Sequence, residues 1–240
     1  MIFRQLVASR SGALGYLLGD PIGQEAVVID AADGLADEYL RLLRHHGLVL
    51  RYLAETHLHE DRLSAAPALR EATGAGLVAG AGGGWVGSDL ALRHGDLLHF
   101  GEETLEVLHV PGHTPCSLAL RWRDRVFTGD TLLPGALGCP AGPGGDAEAL
   151  CASTRHVLLG LSEEILVFPG RLRSGRRVTT IAEERETNPD LAAGVPCAEA
   201  LRRRCGQAAA QESEAMTHHR QCAAGRSPLT GPGRRRLSNG

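Results

Sequence analysis

Short runs of hydrophobic residues bounded by Gly, Asp and Pro open the chain and predict a series of strands. The stretches FRQLVAS, GYLLGD and EAVVIDA have this composition, and LVLRYLAET has it again after a helical pattern. That pattern, residues 35–46, places apolar side chains at helical spacing and stops at Gly47. In a second helical pattern Ser64 is the candidate cap, Pro67 lies in the first turn and Gly74 ends the helix.

The later part of the chain continues with strands and two more helices. GLVAG, DLLHFG, TLEVLHVPG and EILVFPG predict strands, and LALRWRDRVFTGD predicts a hairpin. Residues 145–160 and 178–188 have helical periodicity, and Pro189 stops the second of these helices. This order of elements suits two β-sheets packed face to face with helices on the outer faces, which is an α+β architecture.

The last residues differ in character from the rest of the chain. Residues 206–240 have little apolar periodicity and finish in Gly, Pro and Arg, which favours a mostly disordered tail with a short helix near its start. We therefore predict a folded domain over residues 1–205 and a tail over residues 206–240.

Composition narrows the function classes. The 240 residues are 43% hydrophobic and carry a formal net charge of −3, which is typical of a globular protein and gives no electrostatic footprint for nucleic acid. No apolar run approaches the roughly 18–20 residues that span a bilayer, and the first residues lack the features of a signal peptide. We expect a cytoplasmic protein with small-molecule partners, no nucleic-acid or membrane partner, and a homodimer as a candidate assembly.

Two residue types restrict the chemistry further. The chain contains no lysine, so a Schiff-base lysine and a Walker-type phosphate loop are both excluded. Its six cysteines are scattered and none forms a CxxC pair, which predicts neither structural zinc knuckles nor a disulfide framework.

Three short motifs place metal-ligand side chains directly after predicted strands. THLHED contains His57, VPGHTP contains His113 and FTGDTLL contains Asp130, each in the first residues of a loop. Two imidazoles and one carboxylate with open coordination positions are typical of mononuclear non-haem Fe(II) centres. His59 and Asp61, within the first motif, are candidates for an additional ligand or for orienting the ligands.

These three motifs, in this order and at this spacing, resemble those of the metallo-β-lactamase superfamily over about residues 2–191. The spacing to VFPG and TTIAEERETNP is similar to the persulfide dioxygenase branch, the ethylmalonic-encephalopathy-protein-like group, with the glyoxalase II branch as a close relative. The resemblance implies an αββα sandwich and one Fe(II) held by His57, His113 and Asp130. It also implies oxidation of glutathione persulfide, or of a related low-molecular-weight persulfide, by O2 to sulfite.

Two arginines depart from the pattern of a two-metal member of this superfamily. Arg62 and Arg171 stand where such a member has histidine ligands, and a guanidinium has no lone pair to offer a metal. Asp61 and Asp130 alone are too few for a typical second zinc site. We therefore predict at most one metal ion per chain.

The segments expected to shape the substrate pocket also differ from the persulfide dioxygenase pattern. Residues 134–146 replace the usual acidic, Arg-containing stretch, and residues 171–177 replace a His-Asp-Tyr run. Arg171 and Arg173 are candidates for binding an anionic substrate, and a solvated basic loop explains them equally well. Two alternatives to the dioxygenase stay open: a glyoxalase II-like thioester hydrolase with one Zn(II), and a non-catalytic relative with a degraded pocket.

Overall fold

The computed structural model describes residues 1–58, 64–82, 87–140 and 144–207. Residues Met1–Arg202 form one compact unit, and Arg203–Gly240 form a second. Of the second unit only residues 203–207, which are helical, are described. The predicted boundary at residue 205 and the predicted tail therefore stay predictions.

Six strands form the first sheet, in the order of the sequence. They are β1 (Ile2–Val7), β2 (Leu14–Asp20), β3 (Glu25–Ile29), β4 (Val49–Glu55), β5 (Gly76–Gly80) and β6 (Leu90–Leu92). The first three strands pair antiparallel and the later pairs are parallel. Parallel neighbours require a crossover connection. Helices supply two of the crossovers, α1 (Ala36–His46) between β3 and β4 and α2 (Ala66–Thr73) between β4 and β5.

The second sheet also has six strands and contains one parallel pair. Its strands are β7 (Leu97–Phe100), β8 (Glu103–His109), β9 (Leu118–Trp122), β10 (Arg125–Gly129), β13 (Leu166–Pro169) and β14 (Thr179–Thr180), in the spatial order β14-β13-β10-β9-β8-β7. The parallel neighbours are β10 and β13. Between them lie a small hairpin, β11 (Leu132–Leu133) and β12 (Ala136–Leu137), and helix α3 (Ala147–Ser153), and helix α4 (Ile181–Thr187) follows β14.

Successive side chains of a strand point to opposite faces of the sheet, so one set packs between the two sheets and the other packs on the outer faces. In β2, Tyr16 packs between the sheets whereas Leu17 packs on the outer side. In β10, Phe127 and Val126 divide in the same way. The Tyr16 and Phe127 rings, one from each sheet, have centroids 4.8 Å apart, so the two sheets share one core. Burying each such side chain stabilises the fold by about 1.5–3 kcal/mol.

The helices cover the outer faces of the sandwich. Tyr39 of α1 and Leu69 of α2 pack on the first sheet, and Leu150 of α3 and Ile181 of α4 pack on the second. The predicted α+β arrangement of two packed mixed sheets with helices outside is confirmed. Among the described residues, no helix is both long and apolar enough to cross a lipid bilayer.

Several local details differ from the sequence prediction. Ala65, rather than Ser64, is the cap residue of α2, although the Ser64 hydroxyl accepts a hydrogen bond from the Ala66 N–H at 3.1 Å. The helix predicted over residues 145–160 is α-helical only to Ser153 and continues as a π-helical turn, Thr154–Leu158. Strands β6, β11, β12 and β14 were not predicted, because two or three residues are too few to establish a hydrophobic periodicity.

The prediction that the chain has no disulfide framework is wrong. Cys151 on α3 is disulfide-bonded to Cys197, 46 residues later, with the two Cα atoms 6.2 Å apart. Cys139 is also disulfide-bonded, whereas Cys116 is free and buried. The spacing of the cysteines in the sequence did not indicate these disulfides, because pairing depends on which cysteine Cα atoms the tertiary fold brings close together.

Candidate metal centre

Three loops bring the predicted ligands together at one end of the sandwich. His57 lies two residues beyond β4 of the first sheet, while His113 follows β8 and Asp130 follows β10 of the second. The two sheets are joined at this end by a hydrogen bond of 2.7 Å from the Leu118 N–H to the Thr56 carbonyl. Rigid strand ends thus position side chains that are distant in the sequence.

The three side chains form a compact buried cluster. One ligand atom from each of His57, His113 and Asp130 lies within 4.8 Å of the others. His113 Nε2 lies 3.9 Å from Asp130 Oδ2, and the two imidazole rings are nearly perpendicular with centroids 4.6 Å apart. An ion bonded at about 2.0–2.2 Å holds facial or tetrahedral ligand atoms about 3–3.6 Å apart, so these side chains would move together by roughly 1 Å around one shared ion.

His57 is held by a chain of side-chain hydrogen bonds. Asp30 accepts from both the backbone N–H and the hydroxyl of Thr56, each at 2.7 Å. A carboxylate only accepts, so the one hydroxyl proton of Thr56 points to Asp30, and Thr56 Oγ1 accepts from His57 Nδ1–H at 3.0 Å. The other ring nitrogen, Nε2, therefore carries the lone pair that a metal requires.

His113 has the same tautomer, which a hydrogen bond to a main-chain carbonyl determines. Its Nδ1 lies 2.5 Å from the carbonyl oxygen of Cys139. Because a carbonyl can only accept, Nδ1 carries the proton and Nε2 is left as the ligand atom. The Cys139 carbonyl belongs to the segment 134–146, so this segment supports a ligand even though its sequence departs from the persulfide dioxygenase pattern.

The turn that carries His113 packs closely on α3. The Asp146 N–H donates to the Gly112 carbonyl at 2.8 Å, and the Ser153 hydroxyl donates to the Pro111 carbonyl at 2.7 Å. Gly112 has φ of 135°, and a Cβ at this position would lie 2.2 Å from the backbone nitrogen of Leu150. Glycine is therefore required here both by the backbone conformation and by the close approach of α3.

Asp130 is held as a carboxylate by its neighbours. Burial by itself would raise the pKa of Asp130, but the two neighbouring imidazoles together with the charge and hydrogen bonds of Arg171 outweigh it, so the pKa lies well below its ordinary value. Arg171 Nε donates to Asp130 Oδ2 at 2.7 Å, and Arg171 Nη2 donates to the same oxygen. Gly170 permits this contact, since a Cβ there would lie 2.6 Å from Asp130 Oδ1.

The remaining predicted site residues are placed differently. His59 and Asp61, together with Arg62, lie outside the described residues. Arg171 contacts Asp130 directly, whereas Arg173 lies in a turn in which its backbone N–H and carbonyl pair with those of Arg176. The two arginines proposed together as substrate-binding residues therefore have different surroundings.

Sequence reasoning missed two supporting groups, the Thr56 hydroxyl and the Cys139 carbonyl. Thr56 precedes His57 in THLHED, and a hydroxyl beside a candidate ligand was the available signal. From the sequence, Asp30 at the end of EAVVIDA fits either a support for the site or a turn residue. Its contacts with Thr56 establish the support. The Cys139 carbonyl had no signal, because every residue carries a carbonyl and only the tertiary fold selects one.

Comparisons with known proteins agree with this architecture. The sequence profile described as the Metallo-beta-lactamase superfamily matches residues 12–171. The mitochondrial persulfide dioxygenase ETHE1 of Mus musculus is 34% identical over 194 residues, covering 80% of this chain and 76% of that protein. A hydroxyacylglutathione hydrolase of Polaromonas sp. is 36% identical over 161 residues, covering 65% of this chain and 60% of that protein.

One solved structure extends the likeness to three dimensions. The crystal structure of ETHE1 from Myxococcus xanthus superimposes with a TM-score of 0.78 at 40% sequence identity, covering 81% of this chain and 86% of that one. The agreement covers about four-fifths of this chain, so the likeness includes most of the sandwich.

Proposed function

Because this chain belongs to the metallo-beta-lactamase superfamily, we propose that it is a mononuclear non-haem iron dioxygenase acting on a low-molecular-weight persulfide. The proposed reaction oxidises glutathione persulfide, or a related persulfide, with O2 and one water molecule to sulfite and the corresponding thiol, with release of two protons. Support comes from the similarity to the persulfide dioxygenase ETHE1 of Mus musculus and to the ETHE1 structure from Myxococcus xanthus, each matched over about four-fifths of this chain.

One observation carries the choice of an iron-type centre. The hydrogen bonds of Thr56 and Cys139 leave Nε2 of both His57 and His113 without a proton, and both residues cluster with the carboxylate of Asp130. Two neutral imidazoles and one carboxylate, on one side of an ion, are the facial set that non-haem Fe(II) oxygenases use. The donor set therefore fits one Fe(II) ion.

The protein groups have distinct tasks in this proposal. Bound iron would supply the activation of O2 and of a sulfur ligand at the coordination positions that the three side chains leave open. Thr56 and the Cys139 carbonyl keep the two imidazoles neutral and oriented, and burial of the cluster limits the access of water. Arg171, whose side chain is 40% exposed, places positive charge beside the cluster, where an anionic persulfide would approach.

A second candidate function is a thioester hydrolase with one Zn(II). Its support is the similarity to the hydroxyacylglutathione hydrolase of Polaromonas sp.. Two histidines and a carboxylate with one open position also suit a catalytic zinc, which lowers the pKa of a bound water. The third alternative, a non-catalytic relative, predicts a protein that stays metal-free after reconstitution.

The deciding experiment is anaerobic purification, metal quantification and an oxygen-electrode assay with glutathione persulfide. Iron near one equivalent per chain with O2 uptake and sulfite production supports the dioxygenase. Zinc with cleavage of a hydroxyacyl-glutathione thioester and without O2 uptake supports the hydrolase. Two tightly bound equivalents would contradict the one-metal site.

Matched histidine variants link the activity to the triad. His113→Ala is expected to lose iron binding and O2 uptake together, because one of three ligands is removed. His99→Ala, at an exposed strand position whose imidazole contacts Thr104 Oγ1, is expected to retain both. Retention of O2 uptake in His113→Ala would refute the site assignment.

The cytoplasmic location and the homodimer stay predictions. Disulfides such as Cys151–Cys197 are typical of oxidising compartments, so cell fractionation is the relevant test of location. Size-exclusion chromatography with light scattering tests the homodimer.

A further inference from the structure

Arg171 donates two hydrogen bonds to a buried residue of the candidate metal centre. Two of its nitrogens, Nε and Nη2, donate to the same oxygen of Asp130, Oδ2. That oxygen is also the one that lies 3.9 Å from His113 Nε2. Arg171 therefore restrains the carboxylate oxygen that faces the histidine ligand.

The backbone of Arg171 is itself fixed by main-chain pairing. The Leu14 N–H donates to the Gly170 carbonyl at 2.8 Å, and the Leu172 N–H donates to the Gly12 carbonyl at 2.9 Å. Between these bonds Ala13 and Arg171 form an antiparallel bridge. This pairing ties the residue to the start of β2 in the first sheet, so the guanidinium is delivered from a rigid position.

The two partners differ in exposure. The side chain of Asp130 is 5% exposed, whereas that of Arg171 is 40% exposed. A buried carboxylate has a large desolvation cost that a fixed guanidinium offsets. A guanidinium cannot be a metal ligand, but it can hold a carboxylate in one orientation while that carboxylate binds an ion.

We propose that Arg171 is a positioning residue of the metal centre, which holds the Asp130 side chain in one orientation so that the triad binds a single metal ion. The inference rests on the metal site of the proposed function but not on its reaction. Groups that support metal ligands typically contribute 10–100-fold to metal affinity, and this is the effect assigned to Arg171.

The test measures metal affinity and coordination rather than turnover. Arg171→Met removes the charge and the donors but keeps a long side chain. Titration of the metal-free protein with Co(II) against a chelator gives the dissociation constant, and the visible absorption of bound Co(II) reports the coordination geometry. We expect about 10–100-fold weaker binding and a changed Co(II) spectrum.

Arg123→Met is the matched control for breaking an ion pair. Arg123 donates to both oxygens of Glu103, at 2.9 and 2.6 Å, and Glu103 is not part of the triad. This variant is expected to keep the metal affinity and the spectrum of the unsubstituted protein. If Arg171→Met also keeps both, Arg171 is an incidental ion pair and the inference is overturned.

A second variant guards against loss of folding. If Arg171→Met yields no folded protein, Arg171→Lys keeps the charge without the paired N–H donors, and a smaller weakening of Co(II) binding in the same direction is expected. Unchanged binding in Arg171→Lys would overturn the role assigned to the guanidinium donors. Altered metal affinity in a protein without persulfide oxidation would refute the proposed function and leave this inference standing.

Discussion

The two histidines of the triad have the same tautomer but are supported by different parts of the chain. Thr56 and Asp30 hold His57 through side-chain hydrogen bonds. His113 depends on the carbonyl of Cys139 and on a glycine turn packed against α3. The His57 support can be removed by a side-chain substitution, whereas the His113 support can be disturbed only by moving backbone. Equivalent ligands can therefore differ in how they respond to mutation.

The largest expected effect is on the His113 side. Gly112→Ala should destabilise the protein by about 4 kcal/mol, because the new Cβ combines strain at positive φ with overpacking against α3. Urea unfolding measures the change. Gly34→Ala is the control, since Gly34 has φ of 71° with open space around it and should cost only about 1–2 kcal/mol. Equal losses in the two variants would mean that the contact with α3 is unimportant.

Loss of the disulfide on α3 should have the next largest effect. Cys151→Ser removes a cross-link that closes a separation of 46 residues, and we expect a loss of about 2–4 kcal/mol in the free energy of unfolding. Thermal and urea unfolding provide the measurement. Cys197→Ser and the double variant should lose the same amount, because all three remove one bond. An additive loss in the double variant would show that the cysteines act separately.

On the His57 side the expected effect is on metal binding. Thr56→Val removes the hydroxyl that links Asp30 to His57 Nδ1. Metal affinity should fall by about 10–100-fold, measured by chelator competition. Thr56→Ser retains the hydroxyl and should bind metal as the unsubstituted protein does. Weak binding in Thr56→Ser would implicate packing of the methyl group instead of the hydrogen bond.

The smallest expected change in stability is at the Arg123–Glu103 ion pair, which supports neither histidine of the triad. Hydrogen bonds from Arg123 lower the pKa of Glu103 below its ordinary value of 4.5. The stability contributed by this group is therefore present above pH 4.5 and is lost as the pH falls through the lower pKa of the folded state.

Glu103→Gln should lose about 1 kcal/mol near pH 7 and show a weaker decline of stability with acid. Unfolding measured across this pH range checks the sign, and metal affinity at neutral pH should not change. A steeper acid decline in Glu103→Gln would contradict the assignment of the low pKa to this pair.

Much of the fold could be predicted, because its longer elements carry strong local signals. The β2 strand is a short hydrophobic run that ends at Asp20, and the first helix has apolar side chains at helical spacing and ends at Gly47. The two-residue strands and the π-helical turn after Ser153 carry no such period, so they were missed. The disulfide was missed for a related reason, since cysteine spacing does not report distance in space.

The sequence by itself determined which side chains could bind a metal. His57, His113 and Asp130 follow predicted strands, and Arg171 stands where a two-metal relative has a histidine. The residue types were therefore enough to predict the candidate ligands. The tertiary structure alone decided which nitrogen each histidine offers and where Arg171 points. Donor and acceptor capacity belongs to a residue type, but a hydrogen-bond partner depends on distances that only packing of the two sheets establishes.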